Sequence, residues 1–467
     1  MKKTNESKNE SYKESNKDKF NNESHKGGFN KANTKANNDF NRKRNWLLSI
    51  ILIYAIIASI FAVLIAAGIM QKAPPSIASA EGSDSIPEIP ENSIAQPLKA
   101  AQDFLEKNMV EKNGHVDLYI EVGNKNNSAA GNNSAGNYGI DNNISVNDSI
   151  SDMDTNSEAA SYYLLWTAQQ ADKERFDNEL QFVKTYMIYP KFGYMMWRLT
   201  PNDSVIGDGS NIATDADLRT IKALLIAEKE WHDSNYTDMI GQLAGGIEKV
   251  AITKDGYLAP YGGVSGQTST WTANEVWLSY TDFTVLNELS NRFGPPWTAV
   301  YANMKKASLN AQLANGLYNS MLTESRQYGN GIDAGGYSIN SMWMMVRNAE
   351  SSDKELMQSA NKSLQFYKSK FQIDGELYAT YGSNGDALSP ADTPWVYALV
   401  GRAAIALGDK DFSGSMMRKL MEKQVNDTSS QYFGAFPEDY MNGTRVGQFT
   451  MQESILSMQA FNELNKK

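Results

Sequence analysis

Carboxylates are the residues of this chain best suited to chemistry, and two of them, closely spaced, sit where a helix should begin. In "ATDADLRTIKALLIAEKEW", Ala213 to Trp231, Asp215 and Asp217 stand immediately ahead of a strongly apolar run with helical spacing. Thr214 or Asp215 can cap such a helix, and an acid in the first turn complements the helix dipole. Capping explains one acid well and the second adequately, so any chemical role has to rest on the rest of the chain. Composition removes several alternatives. There is no cysteine, hence no disulfide, thiolate metal site or thiol nucleophile. The three histidines, His25, His115 and His232, are too few for a histidine-based metal cluster.

The elements that must position these acids are preceded by a different kind of sequence. The first 45 residues are Lys/Asn/Ser-rich with hardly any apolar residue and cannot bury a core. "WLLSIILIYAIIASIFAVLIAAGIM", Trp46 to Met70, carries no charge and exceeds the roughly 20 residues that cross a bilayer. "NRKRN" directly before it keeps that side cytoplasmic by the positive-inside rule. The expectation is a single-pass cell-membrane anchor, N-terminus inside, with the remainder an extracellular, monomeric ectodomain. The first 45 residues hold 12 basic and 6 acidic residues, leaving 32 basic against 48 acidic in the rest. That acidic balance excludes nucleic-acid backbones as partners and suits a neutral or cationic ligand.

Pro74 to Gln96 reads as a Pro/Ser-rich tether. From Pro97 to the C-terminus about twelve amphipathic helical patterns recur: one near Pro97, then Glu158–Ala171, Phe176–Met187, Asp217–Trp231, Asp238–Val250, Tyr280–Arg292, Trp297–Leu313, Ile339–Ala349, Lys354–Lys370, Thr393–Leu407, Phe412–Asn426 and Met451–Glu463. Helix plus loop takes roughly 25–35 residues, the size of a helical-hairpin array. No repeat is evident at the level of sequence. A polar stretch at 123–149 carries four N-x-S sequons and reads as a surface loop.

The acids now acquire a context. "ATDADLRTIKALLIAEKEW" closely resembles the diagnostic motif of glycoside hydrolase family 8, in which a small residue, Thr or Ser and two spaced Asp open a helix ending in Trp. "SEAASYYLLWTAQQ", from Ser157, resembles the family's segment carrying the catalytic acid, with Glu158 after Ser157, Ala159 behind it and Tyr162 four positions on. "LSYTDFTVLNELSNRFGPPW" and "ADTPWVYALVGRAAIALGD" resemble later helices of the family. The resemblance implies an all-α fold, an (α/α)6 barrel, and an inverting attack on a β-1,4-linked polysaccharide. It gives Glu158 the role of acid and places Asp215 against the sugar at the point of cleavage, with Asp217 supporting the site by helix polarity and hydrogen bonding and, like Tyr162, a candidate for substrate contact. Such chemistry needs one protonated and one ionised carboxylate, and neither metal nor cofactor.

The sequence departs from the family's pattern at the base. The stretch "YSINSMW", Tyr337 to Trp343, puts Asn340 where the family usually has Asp. An amide by itself does not take a proton from water at neutral pH. The preceding loop "LTESRQYGNGIDAGG" offers Glu324 and Asp333, the latter among glycines that permit close approach. Stacking faces for pyranose rings are expected from Trp271, Trp277, Tyr280 and Trp343, with Tyr337 and Asn340 at the same mouth. The reading is an endo-acting glycosidase. A glycan-binding protein that lost its base and a structural envelope protein are the rivals.

Overall fold

The computed structural model describes residues 94–122 and 154–466, apart from 201, 206, 267, 334, 390–391 and 441–442. The expected membrane span, the tether up to residue 93 and the sequon-bearing loop lie outside the described residues; the last residues given to the tether, Ala95 and Gln96, already belong to the first helix. Among the described residues no helix is long and apolar enough to cross a membrane.

Twelve α-helices form among the described residues: α1 (Ala95–Asn108), α2 (Ser157–Gln169), α3 (Lys173–Phe182), α4 (Thr214–Trp231), α5 (Ser234–Val250), α6 (Phe283–Phe293), α7 (Trp297–Asn310), α8 (Ile339–Ala349), α9 (Lys354–Asp374), α10 (Pro394–Ala406), α11 (Lys410–Glu422) and α12 (Gln448–Asn465). They are of two kinds. In α2 and α10 nearly every residue from the first to the penultimate turn is buried, as a helix surrounded on all sides requires. In α9 only Leu356, Ser359, Ala360, Ser363, Leu364, Phe366 and Tyr367 are buried, a single stripe. The even-numbered helices make an inner ring. Helix α2 packs on α4, α4 on α6, α8 on α10, α10 on α12, and α12 returns to α2 and α1. The double ring is consistent with the expected (α/α)6 barrel.

The connections carry an order the sequence hides. After each outer helix the chain makes a narrow turn closed by an isolated bridge: Val110 to Val116, Ile188 to Met195, Ile252 to Leu258, Gln312 to Tyr318 and Tyr381 to Ala387. A glycine with positive φ stands in each turn. Two of these show why. Gly316 has φ +102°, and a Cβ there would lie 2.7 Å from the carbonyl of Lys362 on α9. Gly434, at the matching place after α11, has φ +92° and lies against Ala100 on α1, where a Cβ would approach the carbonyl to 2.2 Å. Only glycine tolerates both the dihedral and the contact. A structural repeat therefore exists, as the hairpin-sized spacing of the helical patterns suggested; it is invisible at the level of sequence because one residue per unit fixes it.

Eleven short strands among the described residues brace the segments entering the inner helices. β1 (Tyr119–Val122), β11 (Gly443–Gly447) and β10 (Glu438–Tyr440) form one sheet; β4 (Ile212–Ala213), β5 (Tyr261–Ser265) and β6 (Ser269–Thr272) a second; β7 (Val276–Trp277), β8 (Met321–Leu322) and β9 (Tyr328–Gly329) a third; β2 (Thr155–Asn156) pairs with β3 (Arg198–Leu199). Single main-chain bonds complete the collar, among them Ser157 N–H to Trp197 O, Thr214 N–H to Pro260 O and Gln448 N–H to Leu118 O. The N-termini of the inner helices are thereby held at one mouth.

Several helix starts differ from the expected positions, and two of them bear on the site. α4 begins at Thr214 with Ala213 in the capping position and no side-chain cap, because the Thr214 hydroxyl donates instead to Ala259 O at 3.0 Å. α6 begins at Phe283, capped by Asp282, whose Oδ1 accepts from Thr284 and Val285 N–H at 3.1 Å. Tyr280, expected on that helix, lies before it in a 3-10 turn, Leu278–Tyr280.

Candidate active site

Glu158 is the second residue of α2, and its position follows from the cap. The Oδ1 of Asn156 accepts from Ala159 N–H at 2.8 Å, fixing the helix start, while its Nδ2 donates to Glu158 Oε2 at 3.2 Å. The Tyr280 hydroxyl reaches Glu158 Oε1 at 3.4 Å. Burial, reinforced by the nearby Asp215, pushes the Glu158 carboxyl up to about 7, against the opposing pull of Arg219 and of hydrogen bonds from Tyr280 and Trp197. A carboxyl in that range still carries its proton in a large share of molecules near neutral pH, as a general acid must.

Asp215 follows β4 at the start of α4 and is 4% exposed. Its Oδ2 accepts from Arg219 Nη2 at 2.9 Å, one helical turn away, and its Oδ1 has no partner. A buried carboxylate oxygen without a donor is poised for a ligand hydroxyl. Asp217 occupies a different place from the substrate-contacting one expected. Two residues on a helix point about 200° apart, and Asp217 is fully buried behind α4, its Oδ1 accepting from Met195 N–H at 3.1 Å. Burial drives its carboxyl well up, and its bond to Met195 N–H anchors the loop before β3.

Tyr162 likewise faces away from any ligand. It is 2% exposed, its hydroxyl donates to Glu453 on α12, and the Arg219 guanidinium lies over its ring, 3.8 Å from the centroid. Arg402 on α10 continues the chain of charges, donating to Glu453 Oε2 at 2.6 Å and Glu350 Oε1 at 2.5 Å. Lys222 joins Glu350 to Asp282, both at 3.1 Å, and Arg347 also reaches Asp282, at 3.3 Å. Burial alone would raise the Glu350 carboxyl, but Arg402 and Lys222 overcome it and hold it well below its usual range. A buried ion network thus runs beneath the acid. Each of its charges is tolerable only because it is paired.

The opposite wall is built from α8 and the loop before it. Asp333, 4% exposed, accepts at Oδ1 from the Asn340 side-chain Nδ2 at 2.8 Å and Asn340 main-chain N–H at 3.2 Å, and at Oδ2 from Ser338 N–H at 3.3 Å. Asn340, 9% exposed, accepts at Oδ1 from the Ser279 hydroxyl at 2.7 Å. Burial raises the Asp333 carboxyl, although its hydrogen bonds oppose the shift. Tyr337 spends its hydroxyl on Asn319 at 3.2 Å and is 8% exposed, so it serves the wall and not its surface. Glu324 is exposed on the turn between β8 and β9.

Aromatic rings line the approach. Trp271, 41% exposed, is 6.1 Å from Tyr261 between ring centroids; Tyr261 is 5.9 Å from Trp277, and Trp277 is 5.0 Å from Tyr280. A row of four rings therefore ends at Glu158. Trp343 sits apart from the row, edge-on to Phe449 at 5.3 Å, with its indole N–H unpartnered. The Tyr261 hydroxyl donates to Glu275; burial, that bond, and the charges of Glu275 and Glu324 hold the phenol at about 12.

The residues sequence reasoning missed are Arg219, Glu453, Ser279, Tyr261 and Glu275. Arg219 was accessible, being four residues from Asp215 on the same helix face. Glu453, far along the chain, carries no local signal. Among the described residues no group of three or more His, Asp or Glu side chains could hold a metal ion.

Residues 136–362 match the family model of glycosyl hydrolases family 8. Endoglucanase C of Ruminiclostridium cellulolyticum is 25% identical over 175 residues, 37% of this chain and 34% of that protein. Endoglucanase A of Acetivibrio thermocellus is 28% identical over 191 residues, 39% of this chain and 35% of that protein. The chain thus matches about a third of the length of these relatives. Among solved structures, an α-amylase from Clostridium perfringens superposes with a TM-score of 0.64 at 24% identity, covering 80% of this chain and 99% of that one. A β-1,3-1,4-glucanase from Paenibacillus sp. X4 gives 0.58 at 17% identity, covering 80% and 93%. These two show a shared fold. Over residues 136–362, then, this chain is similar to glycosyl hydrolases family 8.

Proposed function

We propose that the chain is an endo-acting, inverting glycoside hydrolase that cleaves a β-1,4-linked polysaccharide outside a membrane to which it is anchored by Trp46–Met70. The observation that carries the catalytic part is Glu158: a carboxyl at the end of a row of aromatic rings, pushed up to about 7 by burial and by Asp215. In the proposed step Glu158 gives its proton to the glycosidic oxygen as the bond breaks. Asp215, oriented by Arg219, takes a hydrogen bond from the sugar through its unpartnered Oδ1. A base on the Asn340 wall takes the proton of the attacking water. The names of the curated relatives support a β-glucan; the name of the C. perfringens structure brings an α-glucan into the test.

The test is release of reducing ends by the full chain from cellulose derivatives, mixed-linkage glucan, xylan, chitosan and starch, with NMR of the first-formed anomer. Release from a β-linked polymer with inverted configuration is expected. Release from starch alone overturns the linkage, and retention overturns the mechanism. Binding without release favours the glycan-binding reading, which the Asn at 340 motivates. Anchoring is checked separately: protease outside intact cells should remove the domain and spare Met1–Asn45, and a protected domain rules the anchor out.

A further inference from the structure

We propose that Asp333 is the general base of this site and that it acts at one remove, through the side-chain amide of Asn340. The inference rests on the hydrolase reading above and names the group that reading leaves open. Asp333 cannot meet the water itself: it is 4% exposed, and the hydrogen bonds to Asn340 and Ser338 enclose both its oxygens. Asn340 lies between it and the cleft. The orientation of that amide is fixed by chemistry, since the carboxylate accepts only and must face Nδ2, which leaves Oδ1 toward Ser279. Oδ1 has two lone pairs; the Ser279 hydroxyl, at 2.7 Å, uses one, and the other is available to a water. The same 3-10 turn that carries Ser279 carries Tyr280, whose hydroxyl touches Glu158. One rigid turn therefore spaces the relay from the acid.

The step balances. As the water oxygen bonds to the anomeric carbon, its O–H breaks and the proton moves to Asn340 Oδ1. The Nδ2–H proton moves to Asp333 Oδ1, leaving the amide momentarily as its imidic tautomer. Glu158 gives its proton to the leaving oxygen. Afterwards the proton on Asp333 returns along the same path to solvent, and Glu158 is reprotonated. The raised carboxyl of Asp333 is consistent with a base that holds an acquired proton. The rival account is that Asp333 merely caps α8 through the N–H groups of Ser338 and Asn340.

Four variants of the full chain separate the accounts, assayed on whichever polymer the parent cleaves, with melting followed by circular dichroism. Asp333→Asn should lower kcat by ~10²-fold or more while retaining a cooperative melt, since Asn can still cap. Asn340→Ala, which keeps the cap and removes the relay, should lose as much. Asn340→Asp with Asp333→Asn should regain a rate within about tenfold of the parent, because a carboxylate then meets the water directly. Glu324→Gln should change little. Parent-like turnover of Asp333→Asn or Asn340→Ala overturns the proposal, as does a folded double variant that stays inactive. If Asp333→Asn does not fold, Asn340→Ala alone decides. A parent inert on every polymer removes the hydrolase reading itself, whereas an active parent with an active Asp333→Asn removes only the relay.

Discussion

The wall that carries Glu158 and the wall that carries Asn340 face each other across the same mouth, yet they are held by different physics. Behind Glu158 lie Asp215, Arg219, Glu453, Arg402, Glu350 and Lys222, charges drawn from three helices and the residue after a fourth and arranged in alternating sign. Behind Asn340 lie a hydroxyl, an amide and one carboxylate, all between residues 279 and 341. The first wall sets the proton affinity of Glu158, by burial first and then by the charges of Asp215 and Arg219. The second sets a direction, through hydrogen bonds that need no distant partner. A site built this way can change its base locally while its acid stays tied to the whole barrel.

The largest effect that separates the walls is at the acid. Glu158→Gln keeps the shape and the bond to Asn156 but removes the transferable proton, and should cost ~10²–10⁴-fold in kcat on unactivated glycans. Turnover close to that of the parent would remove Glu158 from the role. Glu453→Gln tests the network without touching the cleft. It withdraws the shared partner of Arg402 and Tyr162, and loss of one member of a buried ion pair destabilises by roughly 3–5 kcal/mol. Urea unfolding measures this, and a midpoint equal to the parent's would mean the network does not bear on stability.

Trp271→Ala should act on binding alone, raising KM about 2–10-fold with kcat held, because an exposed stacking face contributes ~0.5–1.5 kcal/mol. A fall in kcat instead would place Trp271 nearer the reacting bond than the row of rings implies. The smallest effect is on stability against pH. The Glu158 carboxyl is raised on folding, so the folded state holds that proton more tightly than the unfolded chain does. The ionised form is disfavoured, and stability falls as pH rises from about 4.5 through about 7. Glu158→Gln should therefore melt above the parent at pH 8, with the difference gone by about pH 4. Activity of the parent should decline over the same rise, above about pH 7.

How much of this was readable beforehand also divides by wall. The acid side lies in two contiguous stretches, Ser157–Tyr162 and Ala213–Trp231, and helix periodicity placed both. The same periodicity could have shown that Asp217 must point away from Asp215. Tyr162 was misplaced for a different reason: its partner, Glu453, is 291 residues away, and no local pattern announces it. Asp333 and Asn340 were readable as neighbours in sequence, but not their bond, because a Gly-rich loop leaves the chain's path open until it is folded. The recurring turn escaped notice because its specification is a single glycine and a close approach, neither of which is a pattern of hydrophobicity.

Gly434 against Ala100 has a consequence for how the molecule comes into being. That contact, the bond from Gln424 Nε2 to Pro97 O across 327 residues, and the docking of α12 on α1 and α2 join the first described helix to the last. Contacts of such separation are slow to form. At about 5–20 residues per second, α1 emerges from the ribosome well before α12 exists, and α2 waits with an uncovered apolar flank. Glu453 arrives with α12, so Arg402 and Tyr162 lack their shared partner until that helix docks. Under the proposed function, activity would then report that synthesis and closure are finished, and a nascent chain stalled before Gln448 should be present, largely helical and silent.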